Sequence, residues 1–194
     1  ANVAFLRQTT QYTCVATSLA SAISAWGKDV SEDDVNEILG AGPGRGARWE
    51  EAAAAAQYFG CRATLVVPST LAQVKSWTDQ GIPVLIAWNP EGRPWSHASV
   101  IFDVSENHTV SIMDPNIPDP TQHVRIVSAA DFYPKWSEKW SDKLIIRRPA
   151  MAIEREITPD GTFHSPPSTI TTNIAQHIQP AGDFDKWKEV FNLY

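Results

Sequence analysis

At 194 residues, 43% hydrophobic and 20% charged, the chain is long enough for one domain with a full core and has an ordinary globular composition. A net charge of −6 argues against nucleic acid and anionic membrane surfaces, which both ask for a basic face. No apolar run approaches the roughly 20 residues of a membrane helix, and no basic-then-apolar opening marks a secretory signal, so the compartment stays open.

Helices come first. In residues 12–26, Val15, Leu19, Ala22, Ile23 and Trp26 recur at helical spacing, with Thr13 as N-cap and Gly27 as stop, which puts Cys14 in the first turn. Ser31 caps a short second helix with Asp33 and Asp34 in its first turn and Val35, Ile38 and Leu39 on its inner face. The stretch 40–46 (GAGPGRG) reads as a connector between helices, with lining a groove as the alternative. An Ala-rich helix follows over 48–59, closed by Gly60, then a strand over 61–67. Ser69 is expected to cap a helix running to about Asp79.

Strands dominate afterwards. β-Branched and apolar runs at 83–88, 97–104 and 109–113 are separated by turn signals at 89–92 and 105–107. A further strand is expected near 123–127, a short helix from Ser128 toward Phe132, and a strand over 144–148. This order predicts an α+β fold, a helical layer packed on an antiparallel sheet.

After Pro149 the composition turns to Pro, Ser and Thr. The reading is therefore a domain over 1–149 and a weakly structured extension over 150–194. The extension is expected to end in a short amphipathic helix, 183–194, that docks on its own domain, with another chain as the alternative.

The chemistry-bearing residues converge on thiol hydrolysis, which needs an acidic sulfur, a base, an orienter for the base and an oxyanion donor. Cys14 at a helix N-terminus has amide dipoles to stabilise a thiolate; alone it would read as a small buried residue. His97 opens a strong apolar strand, which His108, His123, His164 and His177 do not. Asp114 ends the next strand, and a hairpin over 97–113 returns it to His97, where a carboxylate fixes the ring's tautomer. Gln8 lies six residues before Cys14 and offers an amide to the oxyanion, with Gln11 as competitor. Trp88 and Trp95, either side of the turn before His97, are read as sheltering the imidazole, walling the cleft or packing the core. Cys14 and Cys61 are too few for a disulfide scaffold; one bridge is conceivable, but the setting of Cys14 argues against it. The five histidines and two cysteines match no metal-ligand spacing, and no cofactor is expected.

Gln, five residues, Cys at a helix start, a distant His opening a strand, and Asp-Pro 17 residues further on: this arrangement resembles the papain-like superfamily, and within it the bacteriocin-processing peptidases that cut leader peptides after Gly-Gly. The similarity covers roughly residues 1–148 and extends to Phe132 followed by Trp136 or Trp140. It implies Cys14 as nucleophile, His97 as base, Asp114 as orienter and Gln8 as oxyanion donor, acting on a peptide or protein substrate cut after small residues. Thr13 and Val15 stand where that family commonly has Asp and Gly, so the pocket is expected to differ. No Walker sequence is present, so a stand-alone relative without its transporter is expected. A deamidase, transamidase or acyltransferase with the same residues is the second reading, a non-catalytic binding module the third.

Overall fold

The computed structural model describes residues 1–119, 121–141, 144–156, 169–172 and 178–179. Three helices precede the first strand: α1 (Cys14–Ser24), α2 (Glu32–Leu39) and α3 (Trp49–Tyr58), followed by β1 (Cys61–Val67) and α4 (Leu71–Thr78). Then come β2 (Val84–Trp88), β3 (His97–Val104), β4 (Thr109–Met113), β5 (Val124–Ser128), α5 (Ala129–Phe132) and a 3₁₀ turn, Tyr133–Lys135. The remainder is β6 (Ser137–Ser141), β7 (Leu144–Arg147), β8 (Ala150–Arg155), β9 (Thr169–Thr172) and β10 (Ile178–Gln179).

Seven strands form the main sheet in the order β5-β4-β3-β2-β8-β1-β9. The first six are mutually antiparallel, and β9 adds to β1 in parallel. β10, β7 and β6 make a separate small sheet. The α+β fold predicted from the order of elements is the fold observed.

Local chemistry explains the helix ends. Ser31 and Asp34 form a reciprocal capping box, and Gly40 closes α2 in the left-handed conformation at φ 64°. Thr70 rather than Ser69 caps α4, accepting from the Gln73 N–H at 3.1 Å. Ile38 is not on the inner face of α2: it is 40% exposed, and only Val35 and Leu39 are buried. In α3, Trp49 and four alanines are buried; their small side chains let the helix backbone lie close against the sheet.

One core lies between α1, α3 and the sheet, built on Leu19, Ile23, Leu65, Leu85, Val100 and Met151. The other lies on the opposite face under α4 and α5, where the Trp88, Phe132 and Trp136 rings pack at tilted angles with centroids 5.7 Å and 5.1 Å apart. Trp88 therefore belongs to the core, its Nε1–H donating to Ser99 Oγ at 2.9 Å, whereas Trp95 is 59% exposed.

Residues 150–155, expected to open the extension, belong to the main sheet instead. Ala150–Arg155 is a central strand between β2 and β1, in register from Cys61↔Arg155 to Val66↔Ala150. Its first four residues are all buried, so it shows the continuous apolar run of a strand covered on both faces instead of an alternation. The amphipathic stretch 183–194 lies outside the described residues.

Candidate active site

α1 runs across β3, and Ser18 Oγ donates to Ala98 O at 3.2 Å, which ties the helix to the strand residue next to His97. Cys14 is the first residue of α1. Thr13 occupies the N-cap position but makes no side-chain cap: its hydroxyl lies 2.8 Å from that of Thr10. The first-turn amides of α1 are thus not claimed by a capping side chain.

The hairpin of β3 and β4 returns Asp114 to the end of the sheet where β3 begins. His97 Nε2 and Asp114 Oδ1 lie 2.6 Å apart, which leaves Nδ1 as the ring nitrogen available to Cys14. The Asn116 N–H donates to Asp114 Oδ1 at 2.9 Å, and Arg125 Nε donates to Oδ2 at 2.5 Å. The Asp114 side chain has no exposed surface.

The electrostatics follow from these contacts. Burial alone would raise the Cys14 thiol, but the hydrogen bond and charge of His97, with the Ala98 and Val15 amides, bring it below its ordinary value. Burial would lower His97; the hydrogen bonds and charges of Asp114 and Cys14 instead raise it to about 9. Burial works against ionising Asp114, yet His97, the Asn116 N–H and Arg125 hold it below the usual carboxylate range. The arrangement keeps an imidazolium beside a carboxylate at neutral pH and shifts Cys14 toward the thiolate.

Gln8 sits where two surfaces meet. Its N–H donates to Pro115 O at 3.0 Å, one residue beyond Asp114, and its Nε2 donates to Thr10 O at 2.7 Å. Glu32 fixes the same segment against α1 by accepting from the Thr9 N–H at 3.0 Å, the Thr9 hydroxyl at 2.6 Å and the Thr17 hydroxyl at 2.7 Å. One Nε2 hydrogen is committed to Thr10, and Oε1 is buried without a hydrogen-bond partner among the described residues. Gln11, the competitor, has no such anchoring among the described contacts.

A cavity of about 130 Å³ opens beside Cys14 and His97. Val15, Ala52, Leu85, Ala87 and Ala98 give it an apolar floor, and Arg48, Ser96 and Glu138 line it with polar groups. Gly46 also lines it, so the 40–46 connector reaches the cleft with its last residue. Trp49 Nε1–H donates to Glu138 Oε2 at 2.6 Å, joining the start of α3 to β6. Ser96 fastens the same strand by accepting from the Lys139 N–H at 2.7 Å. A larger hollow of about 500 Å³ lies elsewhere, around Tyr133, Trp136, Ile145 and Arg148, and includes none of the residues above.

Cys61 is free and fully buried in β1, and burial pushes its thiol up to about 11 against the opposing charge of Lys28. No disulfide links it to Cys14. Among the described residues no cluster of His, Cys, Asp and Glu could hold a metal ion, and no helix is long and apolar enough to cross a membrane.

Sequence reasoning passed over Arg125, Glu91 and Glu138. The signal for Arg125 was a lone cation inside an apolar strand at 124–127, a position that asks for a buried partner.

A cysteine at the start of a helix that crosses an antiparallel sheet, with an Asp-bound histidine on the adjacent strand, defines a papain-like fold of the cysteine-peptidase class. The chain belongs to the Peptidase_C39 like family, whose profile matches residues 1–141. Among curated proteins none matches the chain significantly. Its fold is similar to that of the peptidase domain of Streptococcus ComA, a bi-functional ABC transporter involved in a quorum sensing pathway. That match has a TM-score of 0.62 at 18% identity and covers 80% of this chain and 100% of that one. It is also similar to a double glycine motif protease from an AMS/PCAT transporter, crystallised in complex with its leader peptide. There the TM-score is 0.58 at 17% identity, with 80% and 94% of the chains covered. A protein of Bacillus anthracis crystallised as a C39-like peptidase matches with a TM-score of 0.60 at 17% identity, over 80% and 96% of the chains.

Proposed function

We propose that the chain hydrolyses peptide bonds with Cys14 as nucleophile, His97 as proton carrier, Asp114 as orienter and Gln8 as oxyanion donor. The observation that carries this reading is the 2.6 Å contact between His97 and Asp114, with the ring's other nitrogen left for a thiol whose acidity is raised. The Cys14 thiolate attacks the scissile carbonyl, and the oxyanion is held by the remaining Gln8 Nε2–H and a first-turn amide of α1. The imidazolium of His97 gives its proton to the departing amine as the C–N bond breaks, leaving a thioester on Cys14. Water attacks that thioester while His97 takes a proton from it; the C–S bond breaks, the acid product leaves, and the thiolate–imidazolium pair is restored.

The cavity beside Cys14 favours small, uncharged side chains next to the cut. Val15, in its lining, adds bulk where a glycine would leave room. A leader peptide bound by one structural neighbour supports a peptide as the kind of substrate.

The experiment is a peptide-library cleavage assay on the full chain beside Cys14→Ala, Cys14→Ser and His97→Ala. New amino termini are expected with the wild type, and a loss of about 10⁴-fold or more in each variant. Turnover that survives Cys14→Ala, or release of ammonia from glutamine peptides in place of new termini, would refute the proposal.

A further inference from the structure

Asp114 is not a lone carboxylate. Arg125 stands on β5 opposite Ile112 of β4, and its side chain reaches back to the end of β4. Its Nε donates to Asp114 Oδ2 and its Nη2 to Glu91 Oε1, each at 2.5 Å, with the guanidinium 5.9 Å from the centre of the Trp88 ring. Glu91 lies in the turn between β2 and β3. The result is a line of five groups in alternating sign: Glu91, Arg125, Asp114, His97, Cys14.

Both oxygens of Asp114 are occupied, Oδ1 by His97 and the Asn116 N–H, Oδ2 by Arg125. The carboxylate therefore cannot turn, and neither can the ring it holds. Its charge is divided as well. A carboxylate out of water beside an imidazole binds the imidazolium tightly, and a cation on the far oxygen offsets that pull. Glu91 in turn occupies part of the cation. Arginine suits this place because its rigid fork reaches two carboxylates at once, which a lysine ammonium on a flexible stem does less well.

We propose that Arg125 is a positioning residue that fixes His97 through Asp114 and limits how firmly the imidazole holds its proton, with Glu91 setting how much of the guanidinium charge Asp114 receives. The inference rests on the reading of His97 as the proton carrier. The other charged groups facing His97 are the Cys14 sulfur of α1 and, across the cavity, Arg48 before α3 and Glu138 of β6. All three stay unchanged in the variants below.

The test follows the His97 ring by nuclear magnetic resonance in the full chain carrying ¹⁵N-labelled histidine. The signal is identified by its loss in His97→Gln, and each variant is first shown to be folded by its thermal transition. Arg125→Gln is expected to raise the His97 midpoint by about one pH unit, and Arg125→Lys to fall between it and the wild type. Glu91→Gln is expected to lower the midpoint by about half a unit, because it removes an anion and releases the guanidinium toward Asp114. A midpoint that stays put or falls in folded Arg125→Gln overturns the inference, as does one that rises in Glu91→Gln. Should Arg125→Gln fail to fold, the sign of the Glu91→Gln shift decides, since that change lies in a surface turn. The readout needs no substrate. Shifts as expected with no peptide cleavage would sink the proposed activity alone, and cleavage with unmoved midpoints would sink this inference alone.

Discussion

The two cysteines provide an internal control for the chemistry of Cys14. Cys61 titrates at about 11, so at pH 7 about one molecule in 10⁴ carries the thiolate there. An ordinary thiol at 9.0 would carry the thiolate in about one molecule in 100 at the same pH, and His97 holds Cys14 below that ordinary value, so its thiolate fraction is higher still. The difference is at least about 100-fold in reactive anion. The more acidic sulfur is the weaker nucleophile, which gives back about tenfold. Ionisation alone then leaves about tenfold, and Cys61 is 0% exposed where Cys14 is partly open, which multiplies the gap. Treatment of the full chain with one equivalent of iodoacetamide at pH 6 to 7, followed by mass mapping, should find label on Cys14 at more than tenfold the level on Cys61. The Cys14 rate should persist well below pH 8. Equal labelling, or a Cys14 rate that rises only as an ordinary thiol ionises, would show that no thiolate is poised at the start of α1.

Asp114→Asn removes the charge that favours the imidazolium, so the His97 titration should move down from about 9 toward 6.5; an unmoved midpoint would mean that Asp114 does not govern the ring. Stability against pH gives a second check. Between pH 6.5 and 9 the folded chain keeps the His97 proton that the unfolded chain has lost, while Cys14, held below its ordinary value, gives up its proton at lower pH than in the unfolded chain. These contributions have opposite sign and offset each other in the wild type. In Cys14→Ala only the His97 contribution remains: it is fully present below pH 6.5 and is lost as pH rises through the folded midpoint, which lies below 9 without the sulfur. Denaturant titrations of that variant should show stability falling by up to about 1.4 kcal/mol per pH unit there, and a flat profile would contradict a charged His97. Glu138→Gln weakens the bond from Trp49 across the cleft; a loss of about 1 kcal/mol in unfolding free energy and a raised KM are expected, and an unchanged KM would remove β6 from the substrate groove. Ser31→Ala breaks the capping box of α2 and should cost about 1 kcal/mol in a urea titration.

The parts of the site legible in the sequence were those carried by local pattern. A helical period placed Cys14 in a first turn, and two β runs joined by a turn brought Asp114 back to His97, because a hairpin is a short-range object. The strand bounds 97–104 and 109–113 read from the sequence match those of β3 and β4. What escaped was non-local. Arg125 acquires its role only when β5 pairs with β4, and Glu138 only when β6 crosses to α3. Thr13 looked like a cap by residue type, yet its hydroxyl turned to Thr10, a competition between neighbouring hydroxyls that spacing does not reveal. β8 was missed because Pro149 and the Pro-rich residues beyond drew the boundary too early, and a strand buried on both faces lacks the alternation that announces strands at the surface.

The place of β8 has a consequence for how the molecule comes into being. Its two neighbours, β1 and β2, are made about 70 to 90 residues earlier in synthesis and are joined in the sheet only through it. A nascent chain that stops short of β8 carries the sheet β5-β4-β3-β2 with a raw backbone edge at β2, and β1 without a strand partner, a template for pairing with the wrong chain. The slot between β1 and β2, in the sheet that supports His97, fills only when all of the matched family region, and β8 beyond it, has left the ribosome.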